Sequence, residues 1–176
     1  RLYVSNVITG TLSVINTTTN AQLSSFTTGG ATFAGNMVLS SDDNNGYISA
    51  NYQDAAVPFD IGGASTGSNI TIGDSPQGLI YNQDESRVNI INNVDNTISS
   101  INTNTNSVVD TVSTGASTAP INLQYNNDFS KLYVTFNGTD QVGVLDPTDL
   151  SVQSTITVGD QPVGIALAPV ESDTDT

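Results

Sequence analysis

Residues 131–147 read KLYVTFNGTDQVGVLDP, and residues 1–17 read RLYVSNVITGTLSVINT. Two further phrases echo them: NGYISANYQDAAVPFDI from Asn45 and RVNIINNVDNTISSINT from Arg87. The starts at 1, 45, 87 and 131 lie 44, 42 and 44 residues apart. Arg1, Arg87 and Lys131 are the only basic residues of the chain, and each opens one of these phrases. Charges scattered over a globular surface would not keep such a period. The chain is therefore an array of four related units.

Each unit holds short segments with β character. In the first, Leu2–Ser5 is a strand, and Thr11–Ile15 alternates polar and apolar as a half-buried strand should. Asn16–Asn20 is a turn, rich in side chains that bond their own backbone. Ala21–Phe26 makes a third strand, Gly29-Gly30 breaks it, and Asn36–Ser40 makes a fourth. Thr97–Ile101, Ser107–Val112 and Ile121–Tyr125 fill the same roles in the third unit. Val142–Leu145, Val152–Val158 and Val163–Leu167 fill them in the fourth. The second unit is degenerate, with Pro58 inside its second strand. Proline has no amide donor, so an edge, bulge or kink is expected there.

No helical pattern of useful length appears. Short strands in four groups of four suit an all-β fold: a β-propeller of four four-stranded blades, stacked about an axis to bury faces that a single blade cannot. A β-solenoid is the alternative. The units span residues 1–44, 45–86, 87–130 and 131–170, and the acidic residues 171–176 form a flexible tail or linker.

The residues also carry a family resemblance. Arg1-Leu2-Tyr3-Val4-Ser5-Asn6 and Lys131-Leu132-Tyr133-Val134-Thr135 resemble the tyrosine-valine-threonine-asparagine signature of YVTN-type β-propeller repeats. Thr11–Asn16 and Gly143–Asp146 are similar to the next strand of that repeat. Val158–Leu167 and Ile72–Ile80 resemble its glycine–proline–glycine lead into the innermost strand. The pattern lapses at Asn45 and Asn89. The resemblance implies a propeller of bacterial and archaeal surface proteins, but no single activity. It also implies that the innermost strand of each blade precedes the basic residue. The first unit then lacks its own, and Pro162–Ala168 is an innermost-type strand without a blade. That strand either closes the ring in cis or completes the first blade of a neighbouring chain. In the second case two chains close an eight-bladed ring or many form an open polymer.

Composition narrows the function. Seventeen acidic residues against three basic ones give a net charge of -14, which disfavours nucleic acid and anionic membranes as partners. Neither Cys nor His is present. That removes disulfides, thiolate chemistry, the commonest general base and the commonest metal ligand. No apolar run is long enough to span a bilayer. The chain opens on Arg1 with no visible leader, as expected of a processed, trimmed or partly observed product.

Several features are candidate sites. The recurrent basic residues are read as turn residues answering Asp84-Glu85 and Asp128 rather than as a ring of anion-binding cations. Asp42-Asp43, Asp84-Glu85 and the tail acids Glu171, Asp173 and Asp175 match no known calcium loop and are read as solvated turns. Tyr3, Tyr47 and Tyr133 share one repeat position and are expected to pack between blades. Asn16, Asn69 and Asn137 head glycosylation sequons. No catalytic, metal-binding or cofactor-binding residue is assigned, and no cofactor is expected. The reading is a non-enzymatic extracellular or cell-surface protein, structural or adhesive, such as a surface-layer, appendage or filament subunit. Its partners would be further copies of itself or other surface proteins. The alternative is a binding module that recognises a glycan or protein through its loops, with an enzyme or redox propeller third.

Overall fold

The computed structural model describes residues 1–28 and 34–168. The Gly29-Gly30 break and the acidic tail at 171–176 lie outside the described residues.

The chain folds into four antiparallel sheets. The first contains β1 (Leu2–Asn6), β2 (Thr11–Asn16) and β3 (Ala21–Thr27). The second contains β4 (Ala34–Leu39), β5 (Asn45–Ala50), β6 (Ala55–Asp60) and two stubs, β7 (Ser65–Thr66) and β8 (Ile70–Thr71). The third runs β9 (Pro76–Tyr81), β10 (Arg87–Asn92), β11 (Thr97–Asn102) and β12 (Ser107–Ser113). The fourth runs β13 (Pro120–Tyr125), β14 (Leu132–Phe136), β15 (Gln141–Leu145) and β16 (Val152–Thr157). Among the described residues the only helical turn is a 3-10 turn at Asn51–Gln53. This is the expected all-β, four-bladed propeller architecture.

Within each sheet, order in sequence is order in space, from an inner strand outward. The inner strands β4, β9 and β13 stand side by side. Each is contributed by the end of the preceding sequence unit. Leu39 closes the first unit in sequence, yet β4 pairs with β5 of the second. Every unit is thus tied covalently and by a ladder to the next blade.

Burial occurs between blades. Leu12, Val14 and Phe26 of the first sheet pack on Ile48, Phe59 and Ile61 of the second. Tyr47, Ala56 and Ile70 of the second meet Leu79, Tyr81, Val88, Ile90 and Ile101 of the third. Ile91 and Ile98 of the third meet Leu123, Leu132, Val134, Phe136 and Leu145 of the fourth. Side chains on both faces of a middle strand are covered, so β10 reads Val88, Ile90 and Ile91, all 0% exposed. Each such side chain contributes about 1.5–3 kcal/mol relative to exposure.

Twist is built in by repeated bulges. The outermost strand slips one residue opposite Val14/Ile15, Ser100/Ile101 and Val144/Leu145, the same position in three sheets. The inner ladder slips between Ala34 and Met37, opposite Ile90/Asn92, and between Pro120 and Leu123. An extra residue in one strand raises the local twist, as a propeller blade needs.

Pro58 acts at the outer edge of β6. Its carbonyl accepts from Gly67 N at 2.8 Å, so its missing amide faces the same outer side. The outer strand is interrupted there: β7 pairs Phe59–Asp60 and β8 pairs Ala55–Ala56.

One predicted strand does not form. Among the described residues Val163–Leu167 makes no ladder, and β1 pairs only with β2. Closure in cis by Pro162–Ala168 is therefore not what this chain does. Among the described residues the main contacts between sheets run in sequential order, first to second, second to third and third to fourth. The segment runs past the inner strands: Thr135 Oγ1 donates to the Val163 carbonyl at 3.2 Å, and Leu167 lines a cavity with Val38, Leu39, Ile80 and Tyr81.

Candidate functional site

The seam loops place the recurrent basic residues. In the third sheet Arg87 N donates to Asn82 Oδ1 at 2.9 Å, and Ser86 N donates to Asp84 Oδ1 at 3.0 Å. In the fourth, Lys131 N donates to Asn126 Oδ1 at 2.9 Å, and Ser130 N to Asp128 Oδ1 at 3.0 Å. In the second, Ser40 Oγ replaces the asparagine and accepts from Asn45 N at 3.1 Å. Asp43, Glu85 and Phe129 occupy the left-handed region at φ of 55°, 57° and 57°. The loops thus use the backbone amide of the basic residue, which explains why Asn45 serves as well. Glu85 Oε1 also accepts from Ser41 N at 2.7 Å, linking one seam to the next. The seam aspartates are engaged in these turns. Hydrogen bonds from Ser40 Oγ and Asn44 hold Asp42 near 2, and those from Ser86 and Ser130 hold Asp84 and Asp128 below the usual carboxylate range. Among the described residues no three acidic side chains gather as a metal site.

The three tyrosines at one repeat position differ in environment. Tyr47 is buried, stands edge-on to Tyr81 at 6.0 Å, and donates from Oη to Asn106 Oδ1 in the next sheet's outer loop at 2.5 Å. Burial pushes its phenol up to about 12. Tyr3 keeps a buried, unpartnered Oη, and Tyr133 is half-buried. Of the sequon asparagines, Asn16 is half-buried and accepts from Thr18 N and Thr19 N through Oδ1. Asn69 is exposed between β7 and β8, and Asn137 is half-buried in the turn after β14.

The third unit carries Asn89 where the others carry tyrosine, and a cavity of about 420 Å³ opens there between the third and fourth sheets. Asn89, Ser100 and Tyr125 form its floor, and Phe129, Pro147 and Leu150 its apolar wall. Asp84 and Arg87 stand exposed at the rim. Asn89 and Ser100 face each other across β10 and β11 and are 2% and 1% exposed. Asn89 Nδ2 donates to Tyr125 Oη at 2.9 Å, but Asn89 Oδ1 and Ser100 Oγ have no partner. Burial pushes the Tyr125 phenol up, against the opposing effect of the Asn89 bond, so it is neutral at physiological pH and its own proton is free to donate. Buried polar atoms are normally paired, and leaving one unpaired costs about 1–3 kcal/mol. The sequence flags Asn89 as a lapse in the repeat. It gives no sign of Ser100 or Tyr125, which are ordinary strand residues by pattern.

The second exceptional place is the two ends of the series of sheets. Leu2 and Val4 are 51% and 37% exposed, whereas Leu132 and Val134, their equivalents in β14, are fully buried. Leu167 is 41% exposed, although it aligns with the buried Tyr81 and Tyr125.

Solved structures share this fold. Hydrazine synthase of Kuenenia stuttgartiensis superposes with a TM-score of 0.78 at 16% identity, covering 87% of this chain and 44% of that one. Virginiamycin B lyase from Staphylococcus aureus superposes with a TM-score of 0.74 at 13% identity, covering 89% and 51%. The chain spans about half the length of each. At such identity the likeness establishes the β-propeller-like fold and transfers no activity. It does correct one expectation. Both structures are named as enzymes, a synthase and a lyase, so the exclusion of catalysis drawn from this scaffold and its composition does not stand. No protein-family model matches the chain, and no curated protein matches it by sequence.

Proposed function

We propose that this chain is a YVTN-type propeller segment that serves as a self-assembling structural or adhesive component of an extracellular surface. The observation that carries this reading is the difference in burial between Leu2 and Leu132, 51% against 0% at one repeat position. The occupant we assign to the bare inner edge of β1 is residues 162–168 of a second copy. That segment has the sequence of an inner strand, forms no ladder in its own chain, and exposes Val163 and Leu167. Main-chain pairing would supply affinity, and its alternate side chains would supply fit. Two copies joined head to tail would bring eight sheets into one ring, in keeping with solved relatives of about twice this length. The net charge of -14 and the low number of basic residues suit a soluble outer surface and other surface proteins as further partners.

Light scattering of the 176-residue chain from about 1 µM to about 100 µM tests the assembly, because association is concentration-dependent. A dimer or polymer that V4D returns to monomer is expected. A monomer at every concentration overturns self-association and leaves the edge to be covered by further blades of a longer polypeptide.

A further inference from the structure

We propose that the cavity between the third and fourth sheets is a binding site for a single neutral sugar ring. Its floor and wall are divided as such a ligand requires. Asn89 Oδ1 is an unfilled acceptor, Ser100 Oγ is unfilled in both senses, and Tyr125 Oη has a free proton because its oxygen accepts from Asn89. Asn89 and Ser100 are directly opposed across the ladder, so their polar atoms address two adjacent hydroxyls of one ring. The half-buried Phe129 ring, held against Tyr125 with centroids 5.1 Å apart, offers an aromatic surface for the carbon-bound hydrogens of a sugar face.

Size and charge agree. A cavity of about 420 Å³ falls within the range of small-ligand pockets, about 300–1,000 Å³. Arg87 shares the rim with Asp84, and the chain carries a net charge of -14, so an anionic ligand gains little and loses to long-range repulsion. A neutral polyhydroxylated molecule meets no such penalty. The equivalent seam between the second and third sheets, where Tyr47 donates to Asn106, also holds a cavity, of about 500 Å³, but among the described residues its lining carries no unpaired buried polar atom. All the residues involved belong to one chain, so the site is independent of self-association.

The test is titration with D-glucose, D-galactose, D-mannose and N-acetyl-D-glucosamine, followed by the side-chain amide resonance of Asn89 and the backbone amide of Ser100. At least one sugar is expected to saturate with a Kd of roughly 1 mM. Asn89→Tyr restores the repeat's own residue, and once circular dichroism shows it folded it is expected to weaken binding at least about tenfold. Ser100→Ala, which removes one hydrogen bond, is expected to weaken it about fivefold. Comparing the free sugar with its methyl glycoside separates the two sources of this chemistry. Equal binding marks a ring at the end of a glycan, and loss with the glycoside marks a free sugar. Absence of saturation by all four sugars up to about 100 mM, or equal binding by folded Asn89→Tyr, overturns the proposal. So does a sugar-soaked crystal with only water on Asn89 Oδ1 and Ser100 Oγ.

Discussion

Leucine-to-alanine changes at Leu2 and Leu132 make a matched pair: the same residue at the same repeat position, differing only in what covers it. Leu132 is fully buried in the cluster with Ile98, Val134 and Leu145. Removing three carbons there forfeits about 2.4 kcal/mol of transfer free energy, and the cavity left behind raises the cost to about 2.7–5 kcal/mol. Leu2 is 51% exposed, so about half of that transfer term, ~1.2 kcal/mol, is lost, and solvent fills the space. The chain lacks tryptophan, so far-ultraviolet circular dichroism should follow urea unfolding. With an m-value of about 2 kcal/mol per molar, Leu132→Ala lowers the midpoint by about 1.4–2.5 M and Leu2→Ala by about 0.6 M. The comparison belongs at concentrations where light scattering reports a monomer. Equal shifts there would refute the reasoning, since they require β1 to be covered within its own chain. At high concentration the Leu2→Ala shift should grow toward that of Leu132→Ala, because a second copy then buries Leu2.

Gly46→Ala sets a Cβ 2.5 Å from the Val38 carbonyl oxygen and against the Phe59 ring, so overpacking should cost about 1–3 kcal/mol and lower Tm by several degrees; an unchanged Tm would contradict that packing. Asn126→Ala removes the acceptor of Lys131 N and the donor to Ser130 Oγ, for a loss of about 0.5–1.5 kcal/mol and faster exchange of the Lys131 amide, whereas Asn126→Asp keeps the acceptor and should largely preserve that protection. Asp42, Asp84, Asp128 and Asp149 have carboxyls held below their ordinary 3.8, so their contribution is present above that value and lost as pH falls through the folded values, toward about 2 for Asp42. Unfolding midpoints measured between about pH 5 and about pH 2 should therefore fall, and less steeply for Asp42→Asn than for the wild type; equal slopes would remove Asp42 from the account.

Most strands were legible because alternation and turn chemistry are local. Thr11–Ile15 alternates, Asn16 turns its own backbone, and β2 and the loop after it appear where those signals stand. Pro58 announced a defect, and the defect is real. Its form, an outer strand cut into β7 and β8, depends on which edge the missing amide faces, and a sequence does not show that. Asn89 was visible as a break in the tyrosine pattern. Its unpaired oxygen was not, because the cavity is walled by Pro147 and Leu150 from the next sheet's outer loop.

By itself the sequence determined the period, the all-β class and the place of most strands along the chain. These depend on near neighbours and on a repeated hydrophobic pattern. Tertiary structure alone decided whether Val163–Leu167 becomes a strand and whether Leu2 belongs to a core. A strand needs a partner's backbone and a core residue needs a covering sheet, and both lie in other parts of the fold. That is why identical letters, leucine at 2 and leucine at 132, end at 51% and 0% exposure.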